Sequence, residues 1–201
     1  VTLQKEQSLI TDQDPTQKQL DWAAGYAVCD SCSMNDPKIE KYKGFARFET
    51  IQNNFSMLNR RFLDELGAVC DREQVSLLAY SPLAGGVLSG KYQNGFPSDA
   101  RFGVYAAMDD VRMKAQANRF AGERSLALTG RYLEIAKEAG IHPVTLAMAW
   151  SLSFSFIGSS IFGVTKTSQL PEILASARTT IPKDVLTALD RAHADILYPM
   201  G

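Results

Sequence analysis

The chain reads as an α/β protein with parallel strands, and three observations carry that reading. Short apolar segments alternate with longer segments of helical spacing, and strands separated by helices pair in parallel. The run Leu77–Tyr92 passes from apolar residues straight into Ser81-Pro82 and a cluster of glycines, the pattern of a buried strand opening into a loop. A length of 201 residues with 45% hydrophobic content suffices for a real core.

Taken in order, residues 1–24 are polar, glutamine-rich and without apolar period, and read as a poorly ordered arm or a truncated N-terminal segment. The folded portion is 25–201. Ala27-Val28-Cys29 is a weak strand candidate, and 36–43 a short polar helix. A strand over 48–52 precedes the polar turn Asn53-Asn54. Spacing over 61–73 predicts a helix with Phe62, Leu66 and Val69 on one face, and Arg60-Arg61 reads as its solvated start. The next strand is Val75–Tyr80. The stretch 93–110, with Gly95, Pro97 and Gly103, reads as a long loop of the kind that forms lids. Helices follow over 111–120 and 125–139, the second with Leu128, Tyr132, Ile135 and Ala136 facing in. Pro143 suits the first turn of a helix running to Ser151. Residues 156–164 are strand-like, and helices over 168–178 and 182–197 follow. Four strands are too few to close an eight-stranded barrel.

Composition narrows the function classes. Lys and Arg total 21 against 22 Asp and Glu, which argues against a nucleic-acid partner. No apolar run approaches the ~18 residues of a membrane span, so an integral membrane protein is not expected, and no secretory signal is read. Three cysteines do not suggest a disulfide framework and favour the cytoplasm or another reducing compartment. Cys29 and Cys32 form a C-x-x-C, which could be a redox pair or half a zinc site. No second Cys/His pair accompanies it, and the reading is ordinary partly buried cysteines, with no metal site. Cys70 reads as core.

The most informative segment is the one after Tyr80. Glycines let backbone N–H groups approach an anion, Lys91 adds positive charge, and ligands of α/β proteins bind at the C-terminal ends of strands. The residues alone give a candidate phosphate cradle.

Three segments together resemble the aldo-keto reductase superfamily: Thr50-Ile51-Gln52-Asn53-Asn54-Phe55-Ser56-Met57-Leu58-Asn59-Arg60, the Leu77–Tyr92 run, and Phe162-Gly163-Val164-Thr165-Lys166-Thr167-Ser168-Gln169-Leu170. The branch resembled is that of Tas-like and potassium-channel β-subunit-like reductases, which the ending Ile196-Leu197-Tyr198-Pro199 also resembles. The resemblance implies a partial (β/α)8 TIM barrel, about the last four β/α units, and an NADPH-dependent reductase of carbonyls. It implies that Gln52 bonds the nicotinamide carboxamide and that Tyr80 lies against the nicotinamide ring. Ser81, Pro82, Leu83, Ala84 and Gly85 would wrap the pyrophosphate, with Lys91 and Arg101 adding charge. Gly163, Thr165 and Gln169 would meet the 2′-phosphoribose end, and Glu172 the adenine amino group. Lys166 could join the 2′-phosphate contacts or be a solvated loop lysine.

The sequence departs from the family at several points. Cys29-Asp30 stands where the family has Ser-Asn, and Glu172-Ile173 where it has Glu-Asn. The family's Asp, Tyr, Lys and His catalytic strands would precede residue 25, and neither His142 nor His193 fits that set, so no catalytic residue is assigned. The resemblance therefore implies either a reductase whose C-terminal half this is, or a non-catalytic half-barrel subunit. A half-barrel with open edges should associate with itself or with a protein partner that covers them.

Overall fold

The computed structural model describes residues 48–200. The chain divides at Thr50, and the unit from Thr50 onward carries the sheet. Three parallel strands lie in the order β1 (Thr50–Asn54), β2 (Ser76–Tyr80), β3 (Ile157–Ile161). Their register sets Gln52 beside Leu78 and Ser159, and Asn54 beside Tyr80 and Ile161. A short 3-10 turn at Arg61–Leu63 and helix α1 (Leu66–Glu73) cross from β1 to β2. Four helices separate β2 from β3: α2 (Arg101–Ala107), α3 (Val111–Phe120), α4 (Glu123–Glu138) and α5 (Pro143–Leu152). Helices α6 (Leu170–Ala175) and α7 (Lys183–Asp195) follow β3. The parallel strands and intervening helices are those the alternation predicts, and they match the partial barrel that the resemblance implies.

One sheet face is sealed and the other is open. Leu77 and Ala79 are fully buried on the helical side. Gln52, Tyr80, Ser159 and Ile161 are exposed on the opposite side. Helix α5 is the central helix, with every residue from Thr145 to Ser151 buried, as expected of a helix apolar all round. Its Trp150 stacks on Phe55 at 5.1 Å, and Phe154 and Phe156 complete the aromatic centre.

Several expectations are corrected. β1 begins two residues later than predicted, so Asn53 and Asn54 lie inside it. Their side chains are absorbed locally: Asn53 Oδ1 accepts from Asn54 N, and Asn54 Oδ1 from Asn59 Nδ2. Leu66 and Val69 are exposed, and Gly67 and Cys70 face the core instead. The 3-10 turn before α1 changes the helical phase, which spacing alone does not reveal. The predicted loop 93–110 contains α2. The buried Tyr92 hydroxyl accepts from Phe102 N, and Gly103 lets the helix press on the Pro97 carbonyl, leaving no room for a Cβ. The predicted helix 168–178 is α6 flanked by 3-10 turns. The candidate strand 27–29, the helix 36–43 and the C-x-x-C lie outside the described residues.

The largest correction concerns Arg60, which is buried rather than solvated. Its guanidinium sits 4.6 Å from the Trp150 ring centre and pairs with Asp190 through Nη1 at 2.7 Å. Nε donates to the Met57 carbonyl, and Nη2 to Tyr132 Oη and the Leu189 carbonyl. The Tyr132 hydroxyl donates to the Met57 carbonyl at 3.1 Å and lies 3.3 Å from His193 Nδ1. A phenol has one proton. With it on Met57, the His193 contact requires Nδ1–H as donor to the Tyr132 oxygen. Burial, then the neighbouring Arg60 charge, lowers the His193 pKa to about 4. Burial pushes Tyr132 up to about 12, although Arg60 acts against it.

Arg60→Ala is expected to cost about 2–4 kcal/mol, because it leaves the Tyr132, Met57 and Leu189 oxygens short of a buried donor. The check is a lower urea midpoint at unchanged slope. Asp190→Ala should cost less than about 1 kcal/mol, since that carboxylate is 67% exposed. His193 binds a proton less readily folded than unfolded, so its contribution is complete above pH 6.5 and lost as pH falls toward about 4. Denaturation midpoints should drop across that window, and the difference between wild type and His193→Gln should shrink with them.

Candidate functional site

At the C-terminal ends of β2 and β3 a groove of about 790 Å³ opens between three walls. The first is the loop leaving β2. Ser81 O accepts from Ala84 N at 2.8 Å, Leu83 O accepts from Gly86 N at 2.8 Å, and Ser89 Oγ donates to Gly86 O at 2.8 Å. These tight turns demand left-handed backbone: φ is +56° at Ser81, +49° at Ala84, +67° at Gly85 and +95° at Gly86. Ser81 and Ala84 have side chains that disfavour this region, so the loop stores strain of about 1 kcal/mol or more at each. Burial of Pro82, Ala84, Val87 and Leu88 anchors it.

The second wall is the segment from Pro97 into α2, held by an aromatic column. Tyr92 packs on Phe102 at 5.3 Å, and Phe102 stacks on Phe120 at 5.5 Å. Phe102 also lies directly beneath Gly85, where a Cβ would meet its ring at 2.5 Å. The third wall runs from Ile161 to Ile173, backed by the start of α5. There Gln169 Oε1 accepts from the N–H groups of Thr165 and Lys166 at 3.0 and 3.3 Å, which shapes the turn and leaves its amide NH2 to donate outward.

Of the residues singled out in the sequence, Ser81, Pro82, Leu83, Gly85, Lys91 and Arg101 meet on this groove, and Gly163, Thr165, Gln169 and Glu172 face them. Three others lie elsewhere. Ala84 is 1% exposed with its N–H bonded to Ser81, so it shapes the loop from beneath. Gln52 and Tyr80 stand on the open sheet face, Tyr80 adjoining Ser81. Sequence reading missed Gly86, Ser89, Asp99, Tyr105, His142 and Val144 as lining residues. The second glycine of the pair and a histidine set before Pro143 were the available signals; Asp99 carried none.

The charges suit an elongated anion. Lys166 pairs with Asp99 at 3.6 Å, an ion pair joining the second and third walls. Lys91 Nζ rests 5.1 Å from the Tyr92 ring centre, and Arg101 is exposed with no ion pair among the described residues. Two cations thus face the groove with no carboxylate paired to them among the described residues, beside a strained loop at a site class where anions bind. A dinucleotide phosphate fits this donor set. Glu172 is held from α5, its Oε2 being 3.0 Å from Thr145 Oγ1 and 3.5 Å from His142 Nδ1. Ile173, where the family has Asn, is 3% exposed, so its side chain adds no polar group to the groove. Among the described residues no group of His, Cys, Asp and Glu could hold a metal.

Gly85→Ala should destabilise the protein by about 1–3 kcal/mol, because both the backbone angle and the buried Phe102 ring oppose a methyl. Gly163→Ala, whose added atom meets nothing within 4 Å, should melt within about 1 °C of wild type. Thermal denaturation of the two variants checks the pair.

Comparison with known proteins agrees with this architecture. The protein tas of Escherichia coli K12 is 34% identical over 154 residues, 76% of this chain and 42% of that protein. A probable voltage-gated potassium channel subunit beta of Arabidopsis thaliana is 38% identical over 99 residues, 49% of this chain and 28% of the other. An L-glyceraldehyde 3-phosphate reductase of Escherichia coli O157:H7 is 29% identical over 72% of this chain and 41% of its own length. The structure of a glycerol dehydrogenase from Gluconobacter oxydans superposes with a TM-score of 0.62 at 20% identity, covering 81% of this chain and 47% of that one, which is a likeness of fold. The chain spans less than half the length of these relatives. The Aldo/keto reductase family profile matches residues 25–194, so the match extends across the strands, the strained loop and the groove, and the chain belongs to that oxidoreductase family.

Proposed function

We propose that this chain supplies the NADP(H)-binding half of an oxidoreductase that reduces a carbonyl substrate. The observation that carries the reading is the strained Ser81–Gly86 loop beside Lys91 and Arg101, two cations without carboxylate partners among the described residues, at the C-terminal end of a parallel sheet. Backbone strain persists where surrounding structure enforces it, and such strain clusters at ligand clamps.

NADPH, when bound, supplies the hydride. The chain's own residues bind and orient it. Ser81, Pro82, Leu83 and Gly85 enclose the pyrophosphate, with Ala84 setting the curvature, and Lys91 and Arg101 offset its charge. Gly163 gives close approach at the 2′-phosphoribose end, where the Thr165 hydroxyl and the Gln169 amide donate. Glu172 accepts from the adenine amine. Tyr80 offers a flat face to the nicotinamide and Gln52 bonds its carboxamide, both from the open sheet face. No described residue is assigned as the proton donor to the carbonyl oxygen.

A second reading is a non-catalytic subunit that associates through the open face, with itself or with a protein partner. Exposure of Tyr80 and Ile161 on a parallel sheet favours it, because such sheets are normally covered on both faces. A monodisperse, cooperatively melting monomer by light scattering would count against it.

Nicotinamide fluorescence on titration with NADPH tests the first reading. Binding is expected, weakened about tenfold or more in Lys91→Ala/Arg101→Ala. Unchanged fluorescence at every attainable concentration would sink the cofactor assignment. Turnover of a test aldehyde by the chain alone would exclude the non-catalytic reading.

A further inference from the structure

Tyr92 is fully buried and does not line the groove, yet it touches the supports of both free cations that do. Its ring is gripped by Phe102 at 5.3 Å and Phe96 at 5.9 Å. Lys91 folds back over that ring, with Nζ 5.1 Å from its centre. The fold-back needs room that Gly86 leaves: a Cβ there would meet Lys91 Cε at 2.7 Å and Nζ at 2.8 Å. An aromatic face attracts a cation, so the ring gives a flexible lysine one favoured place. At the far end of the same side chain, the hydroxyl accepts from Phe102 N at 3.3 Å. That amide belongs to the peptide unit leaving Arg101, the first residue of α2. Ala100, at the N-cap of α2, offers no side-chain acceptor, so the tyrosine oxygen takes that place. A phenylalanine would supply the ring without the acceptor, and an aliphatic residue would supply neither.

We infer that Tyr92 is a positioning residue for both groove cations, setting Lys91 through its ring and Arg101 through its hydroxyl, and so fixing the arrangement of charge offered to the cofactor's phosphates. The inference rests on the NADP(H) reading of this groove. Lys91 and Arg101 are long, exposed side chains, and each would otherwise sample many rotamers. Holding them before the ligand arrives removes part of the ordering cost of binding. The two anchors are chemically separate, so one substitution can release Arg101 while leaving Lys91 seated.

That substitution is Tyr92→Phe. Dissociation constants for NADPH, read by nicotinamide fluorescence on the full chain, are compared in wild type, Lys91→Ala and Arg101→Ala, each with and without Tyr92→Phe. Tyr92→Phe is expected to weaken binding about threefold in wild type, the size suited to an exposed charge losing its place. The same loss should persist in Lys91→Ala and vanish in Arg101→Ala, because the cycle isolates the coupled pair. Proton NMR reads the ring anchor directly: ring current should hold the Lys91 ε-methylene upfield of an ordinary lysine in wild type and in Tyr92→Phe alike. An equal loss in all three backgrounds is what a merely structural role gives. That result, no loss in wild type, or an ordinary Lys91 resonance would overturn the inference and leave the cofactor reading standing. Failure of the wild-type chain to bind NADPH would remove the cofactor reading and this inference together.

Discussion

The Arg60 guanidinium, seated on the Trp150 ring and bonded to three chain segments, is the interaction on which the rest of this structure depends. It joins the segment after β1 to α4, α5 and α7, elements far apart in sequence. A buried cation is costly unless its donors are satisfied. Here Met57, Leu189, Tyr132 and Asp190 supply the acceptors, and the aromatic face supplies the rest. Burial first, and the Arg60 charge second, lower the basicity of His193 in the same cluster.

A second constraint shapes the site. Phe102 presses on Gly85 from below, while Tyr92 fixes the start of α2 through its hydroxyl. The strained loop and the helix opposite are therefore set by one aromatic column rather than independently. The groove's walls are held by packing, and its polar groups are left facing inward. Such division of labour is what preorganisation requires: rigidity from buried apolar contacts, recognition from the backbone and a few charges.

One face of the sheet is open, with Tyr80 and Ile161 about two-fifths exposed on it. Among the described residues three strands stand where the family's relatives continue for more than twice the length. Gln52 and Tyr80 lie on that face, so the nicotinamide end of the proposed site is built against a surface these strands do not complete. The proposed phosphate and adenine ends, by contrast, are lined by loops of this unit.

Much of this was legible in the sequence. Alternating apolar and amphipathic segments determined the parallel α/β class, because side-chain period reports backbone geometry directly. The Ser81–Lys91 run determined the tight turns after β2, since adjacent glycines supply the left-handed backbone they need. Tertiary structure decided what local pattern cannot encode. Arg60 looked like a solvated helix start because its acceptors lie up to 130 residues away. The lid-like stretch 93–110 hid a helix because Tyr92 and Gly103 create its support only once folded. Leu66 and Val69 turned outward because a 3-10 turn shifted the phase. Asp99 and His142 joined the groove through spatial neighbours, Lys166 and Glu172, that no spacing along the chain reveals. Periodicity speaks for a residue's own element, whereas burial and pairing depend on what the fold sets against it.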